Sequence, residues 1–313
     1  MRAARLHDIG GHLQLDSLDD PVAAAGEVLV DIAYASVNPL DVWISQGSPG
    51  AAAQNLPWIP GSEASGYIDA KPVLIRGGGL GLVRDGLFRD RASVPADAIQ
   101  PIPDGIDLRQ AAGLPVVGLT AWHALHSCGR IQPEDRVVVL GASGGVGSVA
   151  VQLAKAAGAT VWGQTSSPDN APVITSDGAD HVVVSGSAGL AAALADVAPT
   201  LVLDPLGGAF THEIVAAMAN RGRLVVYGTS DDQNVTFNMR QMYRKAISII
   251  GYAGLISDQQ TDAGIMASLF EMMAASSLRI RLGDVLALNQ ADEAFTRILQ
   301  RTARGKLLLD VNA

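Results

Sequence analysis

Residues 137–167 read VVVLGASGGVGSVAVQLAKAAGATVWGQTSS, and this stretch decides the fold class of half the chain. Four apolar residues, Val137 to Leu140, run into a glycine-rich turn, Gly141-Ala142-Ser143-Gly144-Gly145-Val146-Gly147. Apolar residues then recur at helical spacing, with Val146, Val149, Ala150, Leu153, Ala154 and Ala157 on one face. A second short strand ends at Thr165-Ser166-Ser167. Strand, glycine turn, helix and strand make a βαβ unit suited to a dinucleotide. Glycine permits the sharp turn and lets the backbone approach a pyrophosphate, while the helix N–H groups and dipole face the phosphates. The spacing, Gly141-x-x-Gly144-x-x-Gly147, is one residue longer in its first half than G-x-G-x-x-G. A glycine turn alone can be no more than a tight strand-to-helix connection. Its βαβ setting is what assigns Gly141, Ser143, Gly144, Gly145, Val146 and Gly147 to cofactor binding.

Working outward, strands at 137–140, 160–165, 181–185, 200–204, 222–227 and 247–252 alternate with helical segments, which predicts a doubly wound, mostly parallel sheet. The first 100 residues instead read as short strands and turns, such as Glu27-Val-Leu-Val-Asp-Ile-Ala-Tyr and Ala92-Ser-Val-Pro, broken by Pro/Gly stretches. Helices are expected from Leu108 and around Thr120-Ala-Trp-His-Ala-Leu, then over 258–275 and 290–301. A closing strand, Lys306-Leu-Leu-Leu-Asp-Val, is expected to rejoin the first domain. The domains expected are 1–112, with 256–313 returning to it, and 113–255.

With 313 residues, two domains are the natural division. A net charge of −9 argues against nucleic acid and anionic membrane surfaces as partners. No apolar run approaches the roughly 18 residues of a membrane span, and the opening MRAARLHDIGGHLQL alternates like an edge strand without a signal-peptide core. The single Cys128 excludes an internal disulfide and suits a reducing cytoplasm. Following a helical segment, it reads as a small packed residue rather than a redox thiol.

The end of the second strand selects between cofactors. An NAD site places Asp or Glu there to bond the ribose 2′-OH. Thr165, Ser166 and Ser167 are neutral hydroxyls, able to donate to a 2′-phosphate that a carboxylate would repel, so NADPH is the expected cofactor. Thr-Ser-Ser-Pro is also good turn chemistry. Tyr227, Gly228 and Thr229 end one Rossmann strand and Tyr252 the next, where ligands bind beyond carboxyl strand ends. Tyr252 is a candidate proton donor or a packed aromatic.

Further motifs extend the pattern: Ser36-Val-Asn38-Pro39-Leu-Asp41, Ile59-Pro60-Gly61-Ser62-Glu63-Ala-Ser-Gly66 and Leu114-Pro-Val-Val-Gly-Leu-Thr120-Ala-Trp122. They continue through Leu203-Asp204-Pro-Leu-Gly207-Gly208, Gly222-Arg-Leu-Val-Val-Tyr227-Gly228 and Gly305-Lys306-Leu-Leu-Leu-Asp. In this order and spacing the chain resembles the medium-chain dehydrogenase/reductase superfamily, in its zinc-free quinone oxidoreductase (zeta-crystallin-like) branch. The resemblance implies a GroES-like β-barrel domain plus a Rossmann domain, an α/β fold. It places Asn38 at the nicotinamide and substrate pocket and Thr120 close to the nicotinamide end. It also implies a homodimer, with the apolar Ile247–Tyr252 strand at an edge that soluble proteins cover.

Zinc-dependent relatives carry Cys where this chain has Asn38, and His where it has Ser62; a four-Cys structural site is impossible with one cysteine. Glu63 is then expected to make structural hydrogen bonds. His123 and His126, three apart, lack a third convergent donor and read as partly buried helix histidines. No metal is expected. Without a Lewis acid, the acceptor should take hydride readily, as quinones and activated alkenes do. Asn38 offers an uncharged donor to a developing oxyanion, although Asn-Pro also forms turns.

Four departures from the family pattern stand out. Asn170 replaces a lysine that often follows the second-strand Ser, and Ser185 replaces a tyrosine that often backs the adenosine phosphate. A hairpin is missing after Gly66-Tyr-Ile-Asp-Ala, so Lys71-Pro72-Val picks up directly, and the tyrosine expected near Ser48 is absent. The arginine-rich stretch from Arg76 to Arg91 reads as a solvated loop with local Arg/Asp pairs or as a steer for an anionic substrate. The expected activity is NADPH-dependent reduction of a small electrophilic acceptor such as a quinone. The alternatives are an enoyl- or alkenal-type reductase and a non-catalytic NADPH-binding structural or sensor protein.

Overall fold

The computed structural model describes residues 1–47, 55–254 and 258–313. They divide into two units, Met1–Val116 with Ile280–Ala313, and Val117–Arg279. The neighbourhood of Ser48 lies outside the described residues, as does the expected boundary at 255/256.

The first unit opens with the antiparallel pair β1 (Arg2–Leu6) and β2 (Leu13–Ser17). It continues with β3 (Glu27–Ser36), α1 (Pro39–Ser45), β4 (Glu63–Ile68), β5 (Lys71–Arg76), β6 (Arg91–Pro95), β7 (Ile99–Pro101) and α2 (Leu108–Gly113). Strand β3 is long enough to serve several ladders: its first half pairs β6, and its second half pairs β4. Where the family hairpin is missing, β4 and β5 pair directly from Ile68↔Lys71. Asp69 and Ala70 close that turn at φ 47° and 63°, the double left-handed conformation that suits a two-residue hairpin. The arginine-rich stretch departs from a fully solvated loop. Arg84 pairs with Glu27 and Arg91 with Asp31, each at 2.5 Å, but Arg76 and Arg89 are buried.

The second unit begins within α3 (Pro115–Trp122), whose last residues run on as a π-helical turn, His123–Cys128. Then follow β8 (Arg136–Val139), α4 (Gly145–Ala156), β9 (Thr160–Thr165), α5 (Ala171–Ser176), β10 (His181–Val184), α6 (Leu190–Ala193) and β11 (Leu201–Asp204). Next come α7 (Gly208–Ala217), β12 (Arg223–Val226), α8 (Met239–Lys245), β13 (Ser248–Gly251) and α9 (Gln259–Ala274). The six strands are parallel in the order β10-β9-β8-β11-β12-β13, the doubly wound sheet expected, and they are apolar because helices cover both faces.

The chain then returns to the first unit as β14 (Leu282–Ala287), α10 (Ala291–Leu299) and β15 (Lys306–Asp310), with β15 pairing β14 and β3. Leu288, Phe295, Leu307 and Leu309 join Val30, Ile32 and Phe88 in its core, so the terminal segment completes it. The return begins at Ile280 rather than at 256. Helix α9 stays with the second unit because it buries Ile265, Met266, Leu269 and Phe270 and because its Asp262 bonds His123. No helix among the described residues is long and apolar enough to cross a membrane.

Candidate cofactor and substrate sites

The turn after β8 is shaped by close approach. Gly141 adopts φ +60°, and a Cβ on Gly147 would lie 2.5 Å from the Gly141 carbonyl oxygen and 2.7 Å from Ala142 Cα. Only glycine lets α4 start this close to the strand. Gly144 is the N-cap of α4, with no side chain to satisfy the first N–H groups, so they and the positive helix end remain for an anion. Gln164, buried on β9, ties the turn down: its Oε1 accepts from Gly141 N (3.0 Å) and its Nε2 donates to Ser185 O (2.6 Å). Sequence reasoning passes over Gln164, since a glutamine in a short apolar strand carries no motif.

The hydroxyls at the end of β9 behave differently from a phosphate clamp. Thr165 is buried, and its Oγ1 accepts from Ser167 N (3.2 Å) and Asn170 Nδ2 (3.2 Å). Ser167 Oγ accepts from Asp169 N. Thr165, Ser167 and Asn170 therefore build their own turn, while the Ser166 side chain is exposed. Ser185 Oγ is bonded to Gly186 O at 2.8 Å.

At the carboxyl ends of β11 and β12, the buried Asp204 carboxylate accepts from Leu206 N (2.7 Å), Gly207 N (3.1 Å) and the Thr211 hydroxyl. Burial raises its pKa against those bonds. Tyr227 N donates to Asp204 O at 3.0 Å. The Tyr227 hydroxyl is buried with no hydrogen-bond partner among the described residues, and burial pushes its phenol far up. Gly228 is half-buried and Thr229 exposed. Tyr252 follows β13, and its ring lies on His123. Thr120, half-buried on α3, is three residues before His123 and so shares its helix face. His126 packs on Trp122 and burial lowers its pKa, while burial raises that of Cys128 and so disfavours the reactive thiolate.

In the first unit, Asn38 precedes α1, with Pro39 at the first helical position, and Asp41 Oδ2 accepts from Asn38 N at 2.8 Å. The Asn38 side chain is buried. Its Nδ2 donates to Glu63 Oε1 (2.9 Å), and its Oδ1 accepts from Lys306 Nζ. Glu63 also pairs with Lys306 at 2.8 Å and accepts from Val116 N at 2.6 Å. The expected structural hydrogen bonds of Glu63 are thus present. Asn38, expected to offer its amide to a substrate, is instead engaged at both ends, because the ammonium and carboxylate flanking it need partners in a dry core. The second Nδ2 N–H and the second Oδ1 lone pair are what is left to serve a ligand. Burial, with the Glu63 charge, pushes the Asp41 carboxyl up to about 7 against the Asn38 N–H and Lys306.

Comparison with known proteins places the chain. Residues 24–77 match the alcohol dehydrogenase GroES-like domain, and residues 145–267 match the zinc-binding dehydrogenase family. The chain belongs to the medium-chain dehydrogenase/reductase superfamily. Human quinone oxidoreductase is 25% identical over 99% of this chain and 97% of its own length. The zebrafish (Danio rerio) synaptic vesicle membrane protein VAT-1 homolog is 27% identical over 92% of this chain, which spans 65% of that protein. An acryloyl-coenzyme A reductase of Sulfurisphaera tokodaii is 29% identical over 72% of this chain, spanning 65% of its own length. Among solved structures, the quinone oxidoreductase of Thermus thermophilus, also determined with NADPH, superposes with a TM-score of 0.88 at 27% identity, over 99% of this chain and 100% of that one. An NAD-dependent alcohol dehydrogenase gives a TM-score of 0.90 at 25% identity, over 99% and 100%.

The residues of this medium-chain dehydrogenase/reductase do not fit zinc. At the two ligand positions stand an amide engaged by Lys306 and the buried Ser62 hydroxyl, and the adjoining carboxylate already holds an ammonium. Zinc takes thiolate, imidazole or carboxylate donors, and a cation 2.8 Å from Glu63 repels a second one. A nicotinamide dinucleotide does fit: the glycine turn and uncapped α4 terminus sit at the switch point of the sheet between β8 and β11.

Proposed function

We propose that this chain is a zinc-independent reductase that uses NADPH to reduce a quinone or a similarly electrophilic small molecule. The observation that carries the reading is the uncapped α4 terminus behind a turn that only glycine can make, together with a donor set unsuited to a metal. The dinucleotide, when bound, supplies the hydride. The chain's part is to hold the pyrophosphate on the N–H groups of α4 and to orient the nicotinamide beyond β11, β12 and β13. With no Lewis acid to polarise a carbonyl, an acceptor that takes hydride unaided is favoured. NADPH is supported by the absence of a carboxylate at Thr165-Ser166 and by the exposed Ser166. On the same reading β13, which has a sheet neighbour on one side only among the described residues, pairs with a second copy of this chain in the cytoplasm.

The test is loss of reduced-nicotinamide absorbance with a panel of a quinone, a 2-alkenal and an enoyl thioester. Turnover fastest on the quinone supports the reading. Turnover confined to the thioester favours the acryloyl-coenzyme A reductase-like alternative. Cofactor binding without oxidation by any acceptor sinks the enzyme reading.

A further inference from the structure

Tyr252 leaves the carboxyl end of β13 with its N–H bonded to Val226 O at 2.9 Å. Its ring stacks on the His123 imidazole, with centroids 5.2 Å apart and planes 21° from parallel. That imidazole is fixed at both nitrogens: Nδ1 lies 2.9 Å from Ser127 Oγ, and Nε2 lies 2.8 Å from Asp262 Oδ1. His123 and Asp262 are 7% and 4% exposed. A buried histidine–carboxylate pair carries a desolvation cost that an apolar pair of the same volume avoids, so stability alone is a poor reason for it. The helix also widens to a π turn at His123, a distortion frequent at functional sites.

The sheet order says what such a platform faces. In a sheet ordered β10-β9-β8-β11-β12-β13, the adenosine half of a dinucleotide lies over β9 and the nicotinamide half beyond β11 to β13. Tyr252 stands at the nicotinamide end. We propose that His123, clamped by Asp262 and Ser127, is a positioning residue that holds the Tyr252 ring as a wall of the nicotinamide pocket. The proposal rests on the dinucleotide reading above.

The experiment compares NADPH with 2′-phospho-ADP-ribose, which lacks the nicotinamide, by titration calorimetry on the full chain. His123→Ala should weaken NADPH about five- to tenfold, the scale of one lost aromatic contact, and leave the truncated ligand unchanged. Tyr252→Ala should match it, and the double variant should lose no more than either single. Pairing His123→Phe with Asp262→Leu restores a flat ring without a stranded carboxylate and should recover NADPH affinity. Equal losses for both ligands, multiplying losses in the double variant, or unaltered NADPH binding would each overturn the proposal. Wild-type protein that binds neither NADPH nor NADH would overturn the dinucleotide reading as well, whereas binding indifferent to His123 overturns only this inference.

Discussion

The ammonium of Lys306, on the last strand of the chain, lies 2.8 Å from Glu63 Oε1, and both side chains are buried. The pair joins β15 to β4 and holds the Asn38 amide between its two charges. Removing one partner strands the other in an apolar core, which costs about 3–5 kcal/mol. Lys306→Met should therefore lower stability by about that amount, read as an earlier urea midpoint. Adding Glu63→Gln should recover much of it, because no unpaired charge then remains. A double variant as unstable as Lys306→Met would show that the pair is not the source of the loss.

Asp41 gives a pH dependence of definite sign. Its folded pKa of about 7 lies above the ordinary value of 3.8, so the folded state binds more protons than the unfolded state between those values. Stability from this group therefore falls as pH rises through the window, and the full cost is present above pH 7. The shift amounts to about 4 kcal/mol at 1.36 kcal/mol per unit. Asp41→Asn keeps an acceptor for Asn38 N and does not titrate. Relative to wild type it should gain about 2–3 kcal/mol between pH 5 and pH 8. A constant difference across that range would mean that Asp41 is charged throughout.

What can be read from sequence, and what cannot, follows from where each signal resides. Val137–Leu140 and the neighbouring β11 are legible because burial on both faces makes them continuous apolar runs, and the glycine turn is legible because backbone approach admits one residue type. Thr165 marks the limit. A hydroxyl beside a strand end can reach a ligand or its own turn, and only the Asn170 Nδ2 and Ser167 N contacts decide for the turn. Asn38 is similar, since its partner Lys306 stands 268 residues away. His123 and Asp262, 139 residues apart, carry no joint motif. Strand β14 escapes a sequence reading because its Gly283, Asp284 and exposed Val285 break the alternation that marks a half-buried strand.

Two glycines of the turn should separate packing from ligand approach. Gly147→Ala places its Cβ 2.5 Å from the Gly141 oxygen and 2.7 Å from Ala142 Cα, backbone atoms that cannot yield locally. Both thermal stability and cofactor affinity should fall. At Gly144 a Cβ meets only the Gly141 oxygen at 3.3 Å, and φ is −76°. Gly144→Ala should melt like wild type yet bind NADPH about tenfold more weakly, the scale of one lost close phosphate contact. A Gly144→Ala variant with unaltered affinity would move the pyrophosphate away from this turn.

The cofactor preference should be shallow and open to correction by one charge. Three of the four polar residues expected around a 2′-phosphate are hydrogen-bonded within their own turn: Thr165, Ser167 and Asn170. The exposed Asp169 adds a negative charge beside them. Wild-type protein should therefore prefer NADPH over NADH by less than about tenfold, since the residues expected to meet the phosphate are all neutral. Asn170→Lys places a cation next to Ser166 and should raise NADPH affinity by about tenfold, the worth of one such bond, while NADH affinity stays level. Because Asn170 Nδ2 supports Thr165, the melting temperature should be followed in parallel. If Asn170→Lys strengthens NADPH and NADH alike, the 2′-phosphate does not sit at the end of β9.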